Sequence, residues 1–224
     1  MSQLDLSPTP RSTIQRGKKR AVTDRAALSA VLDAGLMCHL AFVTAGGAPV
    51  VVPTGYGYED NTLYVHGSTG AASLRAGAGA EVCVNVTLLD GVIYSRAVFH
   101  HSMNYRSATI HGTAVQVTDP DTKLNALRVI TEHIAPGAWD RARGPSPQEF
   151  AKTAVLALDL TEAAVKIRTG PPGEEPEDLE SPEFGRVWAG VLPIVRGWGK
   201  PDPCPELASD VDVPDYVSLR PGPG

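Results

Sequence analysis

Cysteine is scarce: Cys38, Cys83 and Cys204 are the only three in 224 residues, far apart and odd in number. No CxxC pair occurs, so neither a disulfide framework nor a thiolate zinc site is expected. Cys38 and Cys83 sit in apolar runs and read as small core residues. No apolar run reaches the roughly 18 residues of a membrane span. The opening "MSQLDLSPTPRSTIQRGKKR" has no apolar core of a secretory signal. A basic excess is also missing. Twenty Lys and Arg stand against 25 Asp and Glu, a net charge of -5, which argues against a general nucleic-acid binder but leaves room for a local positive pocket. No GxGxxG or GxxxxGK[ST] loop follows a strand, and neither HExxH nor GxSxG is present. These absences predict a soluble cytoplasmic protein with neither nucleic acid nor membrane as partner.

What is present is globular in composition, with 42% hydrophobic and 20% charged residues. Residues 1–20, rich in Ser, Thr, Pro and basic side chains, read as a flexible arm. Residues 21–170 read as one domain. Leu28, Val31, Leu32 and Leu36 predict a helix over 24–36, with Thr23 as N-cap and Gly35 at its end. Strands follow at 38–44, 48–59 and 61–68, joined by Gly- and Asn-bearing turns and hence antiparallel. A short helix is predicted within 69–79, a β-rich stretch over 81–95 with "LDG" as a turn or bulge, and a strand over 107–118. "DPDTKLNALRVITEHIA" places Asp119 as cap and Pro120 at the first helical position. "SPQE" at 146–149 is a capping box. Residues 154–170 read as a final pair of strands. An acidic, proline-rich linker covers 171–183, and the rest of 171–224 reads as an extended C-terminal segment packing on the barrel or on a dimer partner. Strands dominate the centre and helices decorate it, which predicts a mainly β fold, a small antiparallel barrel with appended helices.

Two clusters could carry chemistry. "FHHSMNYRS" (99–107) invites a metal reading, but adjacent His100 and His101 point to opposite faces of a regular strand. No metal site is therefore expected. "HGSTGAASLR" (66–75) offers Ser68, Thr69, Ser73 and Arg75 around a strand-to-helix turn, with Gly67 and Gly70 allowing close approach, a pattern suited to an anionic group. Tyr56 and Tyr64 are open to a packing role on a barrel face, and Trp139 to covering a helix. His39 is expected at a dimer contact or in solvent.

"LDAGLMCHLAFV", "PTGYGYEDNTLYVHGSTGAASLR", "VNVTLLDGVIYSRAVFHHSMNYRSATIHGTA", "KIRTGPP" and "VWAGVLPI" occur in an order that resembles the pyridoxamine-5′-phosphate-oxidase-like FMN-binding split barrels. The nearest likeness is to the flavin-nucleotide-binding branch related to NimA-type nitroimidazole-resistance reductases. The resemblance implies a six-stranded antiparallel Greek-key split barrel that forms a homodimer, with FMN in a groove at the interface. It places Val52, Pro53, Thr54 and Tyr56 beside the flavin ring, and His66, Gly67 and Ser68 near the ring and ribityl chain. Ser73 and Arg75 take the phosphate, with Arg in place of the Lys of related barrels. Tyr105, Arg106 and Ser107 complete the pocket, and Trp188 reaches over the flavin from its own or the partner chain. An FMN-dependent oxidoreductase acting on a small molecule, such as a nitro compound, follows as the expectation, with His66 or Tyr105 as proton donor. The alternatives are a non-catalytic flavin-binding protein, a haem-binding split barrel with His66, His100 or His101 on the iron, and an F420 protein, for which a large basic groove is not evident.

Overall fold

Alternating burial shapes the centre of the chain. From Glu81 onward Val82, Val84, Val86 and Leu88 are buried, while Glu81 and Thr87 face solvent. The computed structural model describes residue 6 and residues 9–222. Among them ten strands form a single antiparallel sheet: β1 (Ala21–Val22), β2 (Met37–Val43), β3 (Pro49–Glu59), β4 (Thr62–Ser68), β5 (Glu81–Tyr94), β6 (Ser102–Thr113), β7 (Val115–Gln116), β8 (Thr153–Asp159), β9 (Ala163–Arg168) and β10 (Gly190–Pro193). The pairing order is β1-β9-β6-β5-β2-β3-β4-β8-β7, an open path, with β10 added to β5. The helices are α1 (Arg25–Ala34), α2 (Ala72–Gly77), α3 (Pro120–Ile134), α4 (Pro147–Lys152), α5 (Pro176–Glu180) and α6 (Asp215–Ser218). No helix among the described residues is long and apolar enough to cross a membrane.

The six strands expected become seven longer ones and three of two to four residues. The short ones carry no alternation of their own and form because longer strands offer free edges. β8 and β9, expected as a pair, part company: β8 joins β4 and β9 joins β6. "LDG" is a bulge, with the β5–β6 register shifting between Leu89 and Gly91. Asp90, the extra residue, grips Arg106 of β6 through both carboxylate oxygens at 3.0 and 2.8 Å. Asp24, rather than Thr23, caps α1, accepting from the Ala26 amide at 2.9 Å. The Asp119 cap and the Ser146–Glu149 capping box form as expected.

The expected flexible arm is fastened over much of its described length. Leu6 is buried, and its amide donates to Thr23 O. Arg11 donates to Glu162 at 2.7 Å and to Glu81 at 2.6 Å, and the Thr9 hydroxyl also donates to Glu162. Arg11 and then Thr9 hold the Glu162 carboxyl down at about 2. At the other end, Trp198 Nε1 donates to Pro221 O, Arg220 lies over the Trp198 ring, and Arg141 lies over Tyr216.

"GYG" (55–57) is where α3 lies on β3. A Cβ on Gly57 would stand 2.6 Å from Val129 O and 2.7 Å from Ile130 Cα, and one on Gly55 would meet Ile134 Cδ1 at 2.8 Å. Tyr56 between them is fully buried. Its hydroxyl lies 2.5 Å from Leu32 O and 2.9 Å from Gly35 O, closing the C-terminal carbonyls of α1. Burial and nearby Cys38, Tyr58 and Asp33 push its pKa far up, so it stays a neutral donor. Its expected place beside a flavin is therefore corrected: with no exposed surface and its hydroxyl engaged, Tyr56 is a core residue. Tyr56→Phe should leave those carbonyls short of a donor and cost about 1–3 kcal/mol, read from chemical denaturation midpoints.

Candidate functional site

β4 runs directly into α2, so the strand end and the helix face the inner ends of β2 and β3 across a trough. Two adjoining cavities, about 800 and 170 Å³, share Val52 and Ser73. The larger is walled by Phe42, Val43, Thr44, Ala45 and Val50, with Ser73 and Arg75 on the α2 side. The smaller is lined by Pro53, Thr54, His66, Gly67 and Leu74, among others. Gly67 permits this closeness, since a Cβ there would meet Leu74 Cδ2 at 2.9 Å.

The polar groups of the trough are open for a ligand. Arg75 has no ion pair among the described residues. His66 Nδ1 is buried without a hydrogen-bond partner, and burial lowers the ring's pKa, so the imidazole is neutral. A buried polar atom without a partner is costly, which marks a place where a ligand's hydrogen-bonding group would be stabilising. The Thr54 hydroxyl donates only to the neighbouring Gly55 O at 3.2 Å. A cation at one end, an unpartnered imidazole nitrogen at the other and an apolar wall between them suit an elongated, anionic, partly aromatic molecule.

Of the residues the sequence singled out, Val52, Pro53, Thr54, His66, Gly67, Ser73 and Arg75 line this trough. Ser68 follows Gly67 but is exposed outside the lining, its hydroxyl accepting from the Gly70 amide. The others lie elsewhere in the protomer. Asp90 occupies the Arg106 guanidinium and raises its pKa. The Ser107 hydroxyl approaches Lys166 O at 3.4 Å. Tyr105 lies across from Leu89 and Arg168. Trp188 lies on Tyr94 with ring centroids 5.8 Å apart. The wall residues Phe42, Thr44 and Ala45 escaped sequence reasoning because an apolar strand leading into a Gly turn reads as packing; only their contact with α2 makes them a wall.

The chain matches the family model described as Pyridoxamine 5′-phosphate oxidase over residues 24–167. No curated protein matches it. Among solved structures it is similar to the flavocytochrome Anf3 from Azotobacter vinelandii, with 33% identity, 96% of this chain and 98% of that chain covered, and a TM-score of 0.88. It is similar to the FAD and heme binding protein from Mycobacterium smegmatis, with 35% identity, 91% and 98% covered, and a TM-score of 0.84. A 5-nitroimidazole antibiotic resistance protein from Bacteroides thetaiotaomicron shares the fold, with 22% identity, 66% and 86% covered, and a TM-score of 0.55.

The burial of His66 has a direct readout. In the ligand-free protein its ring protons should titrate below the ordinary value of about 6.5, followed by NMR. A midpoint at or above that value would place the ring in water.

Proposed function

Because the chain belongs to the pyridoxamine 5′-phosphate oxidase family, we propose that its trough holds a flavin nucleotide and that the protein is a flavin-dependent oxidoreductase that also binds haem. The observation that carries the reading is the pairing of Arg75 with the unpartnered Nδ1 of His66 along one apolar trough. The mononucleotide part of a flavin carries negative phosphate at one end and hydrogen-bonding ring atoms at the other, so the two protein groups match the two ends of that part. A bound flavin supplies the redox chemistry. Arg75 and the Ser73 hydroxyl hold the phosphate, and Arg75 neutralises its charge. Thr54 and neutral His66 meet the ring edge, where His66 can hold or deliver a proton. Pro53, Val52 and Leu74 keep water from the ring.

FAD fits better than the FMN expected from the sequence. The larger cavity continues beyond Ser73 along Phe42, Val43 and Ala45, which gives room for more than a mononucleotide, and one similar protein binds FAD. Haem has a fitting group as well: an exposed imidazole whose Nε2 is free beside apolar surface, at His101. The likeness to the 5-nitroimidazole protein extends to the fold alone, so nitro reduction stays an expectation of the sequence. A homodimer would bring Tyr105 and Ser107 of a second copy toward the trough. Met37, Val43 and Val51, exposed along the sheet, would form part of its apolar contact. The three free cysteines suit the reducing cytoplasm in which we place the protein.

The purified protein should show the visible bands of a flavin and release FAD, identified by mass. A protein that takes up neither FAD nor FMN would refute the reading. Arg75→Ala should weaken flavin affinity by roughly tenfold to a hundredfold, measured by quenching of flavin fluorescence, with the far-UV spectrum unchanged. Unchanged affinity would move the phosphate elsewhere.

A further inference from the structure

Six histidines are available to iron, and five are committed or poorly placed. His133 Nε2 is 2.7 Å from Gly35 O, and its ring stacks on Tyr56 at 4.6 Å between centroids, inside the fold. His100 Nε2 is 3.0 Å from Glu175 Oε1, and its ring lies against Gly173. His66 opens into the trough that the flavin reading already fills. His39 stands across from Asn85, beside the polar ladder in which Asn85 donates to Thr109 at 3.0 Å. His111 stands across from Cys83, near Glu162.

His101 differs from all of these. Its Nδ1 lies 3.2 Å from Ala97 O, a contact in which the nitrogen donates. The tautomer this fixes leaves the lone pair on Nε2, the arrangement that prepares an imidazole to bind a metal. The residue is exposed, so Nε2 is accessible. Its backbone is held by a turn, with its own amide and that of His100 donating to Val98 O and Ala97 O. An ion pair, Arg96–Glu174 at 2.6 Å, and a hydrogen bond between His100 Nε2 and Glu175 at 3.0 Å fix the surrounding loop.

The surface around His101 suits a flat apolar macrocycle. The rings of His101, Tyr94 and Trp188 form a row with centroids 6.0 and 5.8 Å apart. Gly190, across from Tyr94, lets the indole lie close, since a Cβ there would meet Trp188 at 3.0 Å. On the same face of the sheet Leu192 and Met103 both stand across from Val92. Phe99 and Val98 are 91% and 89% exposed, an extreme for large apolar side chains beside a polar imidazole.

We propose that His101 ligates the iron of haem through Nε2, with the porphyrin lying on the apolar face formed by Tyr94, Met103, Trp188 and Leu192. The assignment rests on the haem part of the proposed function and selects one residue for it. None of these residues lines the flavin trough of the same protomer, so each cofactor should be removable without the other.

The test is titration of the full chain with hemin, followed by the Soret band and by electron paramagnetic resonance of the ferric iron. The wild type should bind one hemin per chain with the signature of a histidine ligand. His101→Gly should lose that signature and weaken hemin binding at least tenfold, while flavin affinity and the far-UV spectrum stay unchanged. Added imidazole should restore the signature in His101→Gly. A His101→Gly protein with the wild-type signature, or loss of it in His66→Ala or His100→Ala instead, would overturn the assignment while leaving haem binding intact. A wild type that binds no hemin would overturn both.

Discussion

One carbonyl oxygen ties three elements together. Gly35 O, at the end of α1, accepts from the Tyr56 hydroxyl at 2.9 Å and from His133 Nε2 at 2.7 Å. One donor comes from β3 and the other from α3. A helix end buried without partners would be costly, so α1 can end inside the fold only because these two side chains arrive there. Their arrival in turn requires α3 to lie on the bare backbone of Gly55 and Gly57. With β3 held in this way, Val52, Pro53 and Thr54, the residues just before Gly55, line the trough. Tyr56 pairs with Val65, which sets His66 one residue farther along β4. The position of the candidate ligand site is thus inherited from a packing solution several residues away.

Burial separates the histidines into different chemistries. His66 and His133 are both lowered in pKa by burial and are neutral at ordinary pH. One has a backbone acceptor and is structural; the other has an open nitrogen and is available to a ligand. His100 has its Nε2 on a carboxylate, while His101 uses a backbone carbonyl and keeps Nε2 free. Adjacent in sequence, the two differ because the turn at Val98–His100 sends one ring toward Glu175 and the other toward Tyr94.

The sheet and its main helices were legible because their signals are local. Alternation marks β5, and caps mark α3 and α4. The cluster from His66 to Arg75 was legible for the same reason, since strand, turn and helix are continuous there. What stayed hidden depends on contacts distant in sequence. Tyr56 resembles a ring-side residue by its neighbours Thr54 and Gly57, and only the arrival of Leu32 and Gly35 shows it to be a core donor. Arg106 looks like a spare cation in "NYRS", yet Asp90, sixteen residues earlier, takes it. The arm before residue 20 has no pattern of its own, and Glu81 and Glu162 hold it in place.

β10 alters how the chain's end is to be regarded. β5 is longer than its neighbour β2, which covers it only around Cys83–Asn85 on that side. Beyond the bulge the same edge would stand open from Gly91 to Tyr94, and β10 closes it. The Ile194 amide reaches Asp90 O, and Arg196 donates to Leu89 O at 2.9 Å, extending the seal past the strand itself. An uncovered edge of Val92, Ile93 and Tyr94 is a template for intermolecular strand addition. The segment that carries β10 thereby shields this edge from intermolecular strand addition, a protection that exists only once β10 has docked on β5.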